Sequence, residues 1–449
     1  MSVKTIALRE IKIHQHHLDL LYTVDEFSFT TKIFYHDLDL NELDRRYGDR
    51  GLDRLYAHIA LFEGMKFCSI YPEKYDISII SDRLCEDALT LFNRIYCGVF
   101  AQHWYENNVG DYRGPQLIYD RLGTSEAVEL GDRNDIILAA CGGGKDSIVA
   151  MKMLEEANLP FASFQYSHSI YGQSNLQHRL ISRVLKHVRP VRSHQISIYD
   201  DFLDCPFVSL YFPQLSGITV PETPVSVFES LILMLAGGYR YLSLAHEKSA
   251  NTGNLVSDSL GEVNHQWGKS YEAEIELNRY IQTNLFSNLS YFGILQPIYE
   301  YRIFEKLTQY PEVLGDIHSC NIEKPWCKKC PKCAYVWTNL MAFFDPDRVD
   351  AVFGKNLFDD PDLLPVYEQM LGLTEHTPFE CLGEIDETRL AVKSCVEKGL
   401  TGKAIDLFRD RVLSDEAIDW EGIAAKYRGV YDREHAIPEA IFMRIADKF

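Results

Sequence analysis

Ile136-Ile137-Leu138-Ala139-Ala140-Cys141-Gly142-Gly143-Gly144-Lys145-Asp146-Ser147 decides how the rest of the chain is read. The unbroken apolar run suits a strand buried on both faces, the usual state in a parallel sheet. Three glycines then let the backbone curl tightly and turn several N–H groups toward one anion. A helix is expected from Ser147 to about Ala157, and its N-terminus adds donors and a favourable dipole. In this bend Gly142, Gly143, Gly144, Lys145, Asp146 and Ser147 are the candidate phosphate-binding residues. Lys145 would neutralise charge, Asp146 would hold Mg2+ through oxygen, and Ser147 would cap the helix or contact phosphate.

The sequence on either side continues the pattern. Strands are expected at Phe161–Tyr166, Ser193–Ile198 and Tyr239–Ala245, alternating with helices at Leu176–Val188 and Pro224–Leu235. That order implies an α/β fold, a parallel sheet with helices on both faces. The sequence before it reads as a mixed α/β domain, with a strand at Phe27–Tyr35 and a helix at Leu52–Met65. After a cysteine cluster the chain becomes helical, at Ala334–Phe344, Thr388–Lys398 and Lys403–Val412. The expected divisions are residues 1–130, 131–318, 319–350 and 351–449.

Composition bounds the function. The 449 residues are 46% hydrophobic and 24% charged, as in a soluble globular protein. No apolar run has the length of a membrane span, and Met1-Ser2-Val3-Lys4-Thr5 leads into polar sequence, so no membrane partner and a cytoplasmic location are expected. A net charge of −20 opposes binding to a nucleic-acid backbone but not to a small anion in a locally positive pocket. The 11 cysteines are odd in number and mostly scattered, so a disulfide framework is not expected.

The glycine bend fails the rules for two common phosphate loops. A Walker A loop needs Gly where Ala139 stands and Ser or Thr where Asp146 stands; a dinucleotide fingerprint needs Gly where Ser147 stands. What remains resembles the Ser-Gly-Gly-x-Asp-Ser loop of the PP-loop ATP pyrophosphatases, with Gly142 in place of the first Ser. The resemblance implies a HUP-like nucleotide domain that splits ATP between the α and β phosphates. It also implies a second nucleotide-contacting segment at His246–Asn251, including Asn251; by position, the adenine is expected near Gln165, Tyr166 and Ser167 at the end of the second strand. Gly268-Lys269-Ser270-Tyr271-Glu272 offers another helix start suited to an anion.

Two further clusters carry chemistry. Cys320, Cys327, Cys330 and Cys333 follow a C-x6-C-x2-C-x2-C spacing that suits a closed, structural zinc site, with an iron–sulfur cluster or four unliganded thiols as the rivals. The placement resembles the zinc site of the 7-cyano-7-deazaguanine synthase branch of PP-loop enzymes. Arg179, Arg183 and Lys186 share one helix face, a candidate dock for an anionic substrate or simply a solvated surface.

The deazaguanine synthases are shorter than this chain. Its whole layout resembles the UDP-N-acetylmuramoyl-L-alanyl-L-glutamate epimerase family of the MurL type. The carrying segments are Cys141–Ser147, Glu247–Asn251, Glu262–Ser270, the cysteine cluster and Pro378-Phe379-Glu380-Cys381-Leu382-Gly383. The resemblance implies ATP, Mg2+ and structural Zn2+, a nucleotide-linked peptide as substrate, and adenylation of a terminal glutamate followed by inversion of its α-carbon. Lys145, Asp146, His265 and Lys269 are then the catalytic candidates, Arg179, Arg183 and Tyr271 the substrate-binding ones, and His246 and Tyr271 further candidates for proton transfer. A nitrile- or amide-forming synthase and a non-catalytic nucleotide-binding scaffold are the competing expectations.

Overall fold

The computed structural model describes residues 3–48, 51–124, 126–215 and 217–449. Ten strands form one sheet: β1 (Thr5–Ile13), β2 (His17–Val24), β3 (Phe27–Tyr35), β4 (Lys74–Asp76), β5 (Gln116–Ile118), β6 (Asn134–Cys141), β7 (Phe161–His168), β8 (Ser193–Asp200), β9 (Tyr239–Glu247) and, after a small hairpin of β10 (Leu255–Ser257) and β11 (Gly261–Val263), β12 (Ser290–Leu295). The spatial order is β12-β9-β6-β7-β8-β3-β2-β1-β4-β5. The five strands from β12 to β8 are parallel, as the expected strand–helix alternation requires.

From β6 the chain moves one way to β7 and β8, then returns to the other side of β6 with β9 and β12. The crevice outside the carboxyl end of β6 is therefore a topological switch point, where open α/β sheets bind ligands. The glycine bend lies in it.

Side-chain alternation along β6 explains how both flanking regions attach. Ile137, Ala139 and Cys141 face one apolar core, while Leu138 and Ala140 face the other. The first core takes up Phe292, Ile294 and the C-terminal helices, including Pro331–Phe343 and Ile385–Glu397. The second takes up the N-terminal strands and the helices Leu52–Glu63 and Glu222–Gly237. Each fully buried Ile, Leu or Phe contributes about 1.5–3 kcal/mol, so neither covering layer is detachable without exposing the sheet.

One sheet thus includes strands from both sides of residue 130. β3 pairs antiparallel with β8, from Thr31 opposite Asp200 to Tyr35 opposite Ile196, and continues the parallel sheet into the N-terminal meander. The helix expected at Leu52–Met65 ends at Glu63 and tightens into a 3-10 turn through Ile70, and Lys403–Val412 divides into Lys403–Phe408 and a wider turn at Arg409–Leu413. Among the described residues no helix is long and apolar enough to cross a membrane.

Candidate active site

The glycine bend is shaped by contacts from far along the chain. Gly143 has φ +84°, and a Cβ there would lie 2.1 Å from the His318 ring, so conformation and space both demand glycine. His318 also donates its backbone N–H to the Gly143 carbonyl at 3.0 Å. Gly144 precedes the helix Lys145–Glu156 as its N-cap. Ser147 Oγ turns back to the Gly144 carbonyl at 3.0 Å, which braces the bend from inside. Gly142, in contrast, is exposed and has open space where a Cβ would sit.

Lys145 does not reach out of this bend. Its side chain is 1% exposed, and its ammonium lies 2.6 Å from Asp146 and 2.7 Å from the buried Glu300. Burial works against that charge, but the two carboxylates outweigh it and hold Lys145 firmly protonated. The expected phosphate lysine is therefore a buttress beneath the loop. Asp146 is partly exposed, and burial's upward pull on it is overcome by Lys145, Lys332 and Lys269. The neighbouring Glu247 is pushed up to about 8 by burial and by the charge of Asp146. The partly exposed Asp146 carboxylate is an oxygen donor of the kind a hard divalent cation takes.

Beside the bend opens a cleft of about 410 Å3, lined by Gly142, Tyr166, His265, Lys269, His318 and Cys381 among others. Lys269 Nζ donates to Cys381 Sγ at 3.1 Å. The His265 ring lines the same cleft, and its Nδ1 donates to Gln102 Oε1 at 2.6 Å, which fixes the ring. Burial would raise the Cys381 thiol, yet Lys269 and His265, with help from Lys332, bring it down to about 6. His265 is in turn raised: burial disfavours its charge, but the Cys381 sulfur and Glu380 favour it. Glu222 and Tyr171 line the same cleft and bond each other at 2.9 Å. Burial raises the Glu222 carboxyl, only partly offset by Tyr171, Lys269 and Lys324.

Other expected site residues lie elsewhere. Asn251 and Tyr271 line an adjoining cavity of about 550 Å3, with Arg94, Trp104 and Trp267. Asn251 Oδ1 accepts the Tyr271 N–H at 2.6 Å, which ties the two together away from Gly142. Arg179 and Arg183 stand exposed on the outer face of the helix Ser174–Leu185, and Gln177 and Ile181 are its residues on the cleft. Arg183 is engaged by Asp316 at 2.6 Å. His246 is buried and pushed down to about 3, chiefly by desolvation, so it stays neutral and shut away from the cleft.

The four clustered cysteines meet as their spacing predicts. All four sulfurs lie within 4.8 Å of one another, and the Cys320–Cys330 and Cys327–Cys333 pairs are each 3.8 Å apart. A tetrahedral zinc with bonds of about 2.3 Å spaces its sulfurs by about 3.8 Å. Backbone N–H groups of Glu323, Lys328 and Cys333 point at three sulfur contacts of 3.3–3.4 Å. The site fits such an ion with no position left for substrate.

Glu222, Tyr171 and His318 escape sequence reading. Glu222 carries one local signal, a lone acid between Pro221 and Pro224 at a helix start. His318 carries none, because its role is contact with Gly143. Cys381 lies within a segment noted for its likeness to other chains, but nothing adjacent to it in sequence marks its sulfur as reactive.

Comparison with known proteins supplies the family. The MurL N-terminal domain profile matches residues 3–186 and 216–294, and the MurL C-terminal domain profile matches residues 316–407. Three relatives are each named UDP-N-acetyl-alpha-D-muramoyl-L-alanyl-L-glutamate epimerase. The protein of Xanthomonas oryzae pv. oryzae is 28% identical over 393 residues, 83% of this chain and 82% of the relative. That of a Micromonospora species is 28% identical over 334 residues, 70% and 69% of the two chains. That of Salinispora tropica is 30% identical over 268 residues, 57% and 54% of the two. With both domain profiles matched in order, and the first spanning more than half of its length, the chain belongs to the MurL family.

Proposed function

We propose that this protein epimerises the terminal L-glutamate of UDP-N-acetyl-alpha-D-muramoyl-L-alanyl-L-glutamate to D-glutamate, consuming ATP, within the cytoplasmic supply of peptidoglycan precursors. The carrying observation is a single cleft at the switch point that presents the open Gly142 edge of the bend together with Lys269, His265 and Cys381. A phosphate-binding edge and acid–base groups in one cavity are what activation followed by proton transfer requires.

An ionised α-carboxylate makes its own Cα–H very weakly acidic. Adenylation removes that charge and leaves an acyl phosphate, beside which the proton is far easier to abstract. In this reading the bend's amides hold the nucleotide's phosphates, as in PP-loop enzymes. Asp146 would hold Mg2+, which would draw charge from the phosphates. Lys145 keeps Asp146 ionised and aimed, and Lys269 offsets negative charge that develops in the cleft. The four thiolates would hold zinc and fix the segment that carries His318 against Gly143. Water ends the cycle by attacking the acyl carbon, which breaks the C–O bond and frees AMP carrying the former carboxylate oxygen.

The test is incubation with Mg-ATP and the L-glutamyl substrate, following pyrophosphate, AMP, mass and handedness. The reading expects pyrophosphate and AMP with unchanged acceptor mass and a D-glutamyl product. A changed mass would instead mean a ligase or synthase, and no pyrophosphate would mean a scaffold.

A further inference from the structure

We propose that the Cys381 sulfur is the catalytic base that takes the glutamyl α-proton on one face, and that Glu222, hydrogen-bonded to Tyr171, is the acid that returns a proton on the other. This rests on the epimerase reading above and names the groups that perform it.

The geometry selects this sulfur. Cys381 lines the cleft that also holds Gly142 and is partly exposed there. It receives Lys269 Nζ at 3.1 Å, and the His265 ring, fixed by Gln102 at 2.6 Å, lines the same cleft and favours its anion. Its backbone is anchored as well. Lys332 Nζ bonds the Cys381 carbonyl, and Glu380 Oε2 accepts the Cys381 N–H at 3.3 Å. Gly383 sits so close to Tyr335 and Glu387 that a Cβ would lie 2.3 Å from the Tyr335 hydroxyl. Elsewhere, Cys141 and Cys395 are buried and pushed up to about 11 and about 12, as inert core thiols are. At Cys381 the Lys269 donor and the nearby His265 do the opposite. Glu222 and Tyr171 share the cleft and lie close enough to feel the Cys381 charge.

The step balances. The thiolate forms S–H as Cα–H breaks, and that bonding pair moves into the acyl carbonyl to give an enolate. The Glu222 carboxyl then gives its proton to Cα from the other side, the carbonyl re-forms, and the centre is inverted. Sulfur ends protonated and Glu222 ionised; exchange with solvent restores both. The α-hydrogen of the product therefore comes from solvent.

Full-length Cys381→Ala and Cys381→Ser should be compared with the wild type in two assays on the L-glutamyl substrate. One is ATP–pyrophosphate exchange; the other is entry of solvent deuterium at the glutamyl α-carbon, read by mass. Cys381→Ala should keep pyrophosphate exchange within about threefold and lose deuterium entry and inversion by on the order of 10²–10⁴-fold, the usual worth of a positioned base. Wild-type deuterium entry in Cys381→Ala would overturn the proposal. A substrate acyl group found on the wild-type protein by intact mass would also overturn it, by making Cys381 a nucleophile. If the wild type shows no pyrophosphate exchange with this substrate, the functional reading itself fails and takes the proposal with it. Should Cys381→Ala not fold, alkylation of the wild type decides. Iodoacetamide should modify Cys381 at neutral pH and be blocked by substrate, and an unreactive or unprotected Cys381 counts against the base.

Discussion

Sulfur is used in two opposite ways on the two sides of Lys332. On one side Cys320, Cys327, Cys330 and Cys333 close on one another, with backbone N–H groups filling the remaining space. On the other, Cys381 opens into a cleft and is faced by cations. Lys332 lies between two of the clustered cysteines in sequence, yet its ammonium bonds the Cys381 carbonyl, so the knot and the cleft are mechanically joined. The contrast shows that surroundings assign the chemistry of a thiol. Four converging thiols suit a closed metal site that would hold shape, and one thiol beside Lys269 and His265 is biased toward its anion.

The comparison breaks most readily at the knot. Cys330→Ala should abolish folding of the C-terminal half, because structural zinc supplies on the order of 10 kcal/mol or more to such sites. Circular dichroism melts with and without a chelator, alongside metal analysis, check this; Cys381→Ala should melt like the wild type. A metal-free Cys330→Ala that melted normally would erase the distinction.

The next effect is on pH. Cys381 is faced by Lys269, His265 and Lys332, with Glu380, Glu222 and Tyr171 nearby. Its folded value is depressed, so the active anion is present above about 6 and is lost as pH falls through that value. The α-deuterium exchange rate should fall about tenfold per unit below about 6, while the melting temperature stays constant over the start of that fall.

Smaller effects sharpen the account of the bend. Gly143→Ala forces a left-handed residue at a cost of about 1–2 kcal/mol and collides with His318, so melting temperature and pyrophosphate exchange should both drop. Gly142→Ser meets nothing within 4 Å and should leave both unchanged or improve nucleotide binding. Arg183→Ala removes a half-exposed pair with Asp316 and should cost at most about 1 kcal/mol, with activity intact. A large loss of substrate affinity in Arg183→Ala would restore the outer helix face as a docking site.

What was legible in sequence is local. The strand, bend and helix at Asn134–Glu156 follow from an apolar run, three glycines and a helical pattern within one stretch. The cysteine knot follows from spacing alone. What was not legible depends on distant partners. Lys145 turns inward because Glu300 meets it there. The Cys381 thiol is biased toward its anion because Lys269, 112 residues away, is folded against it. The N-terminal meander joins the sheet through the β3–β8 ladder, and backbone hydrogen bonds leave no mark on side-chain pattern to say which strand they join.

The central claim is that the bend and cleft together adenylate a carboxylate before the α-proton moves. Substrate carrying 18O in its glutamyl α-carboxylate tests it directly, with mass analysis of the AMP released during epimerisation. Direct attack of that carboxylate on the α-phosphorus predicts one 18O in each AMP formed. AMP without label, released while inversion proceeds, would contradict the account.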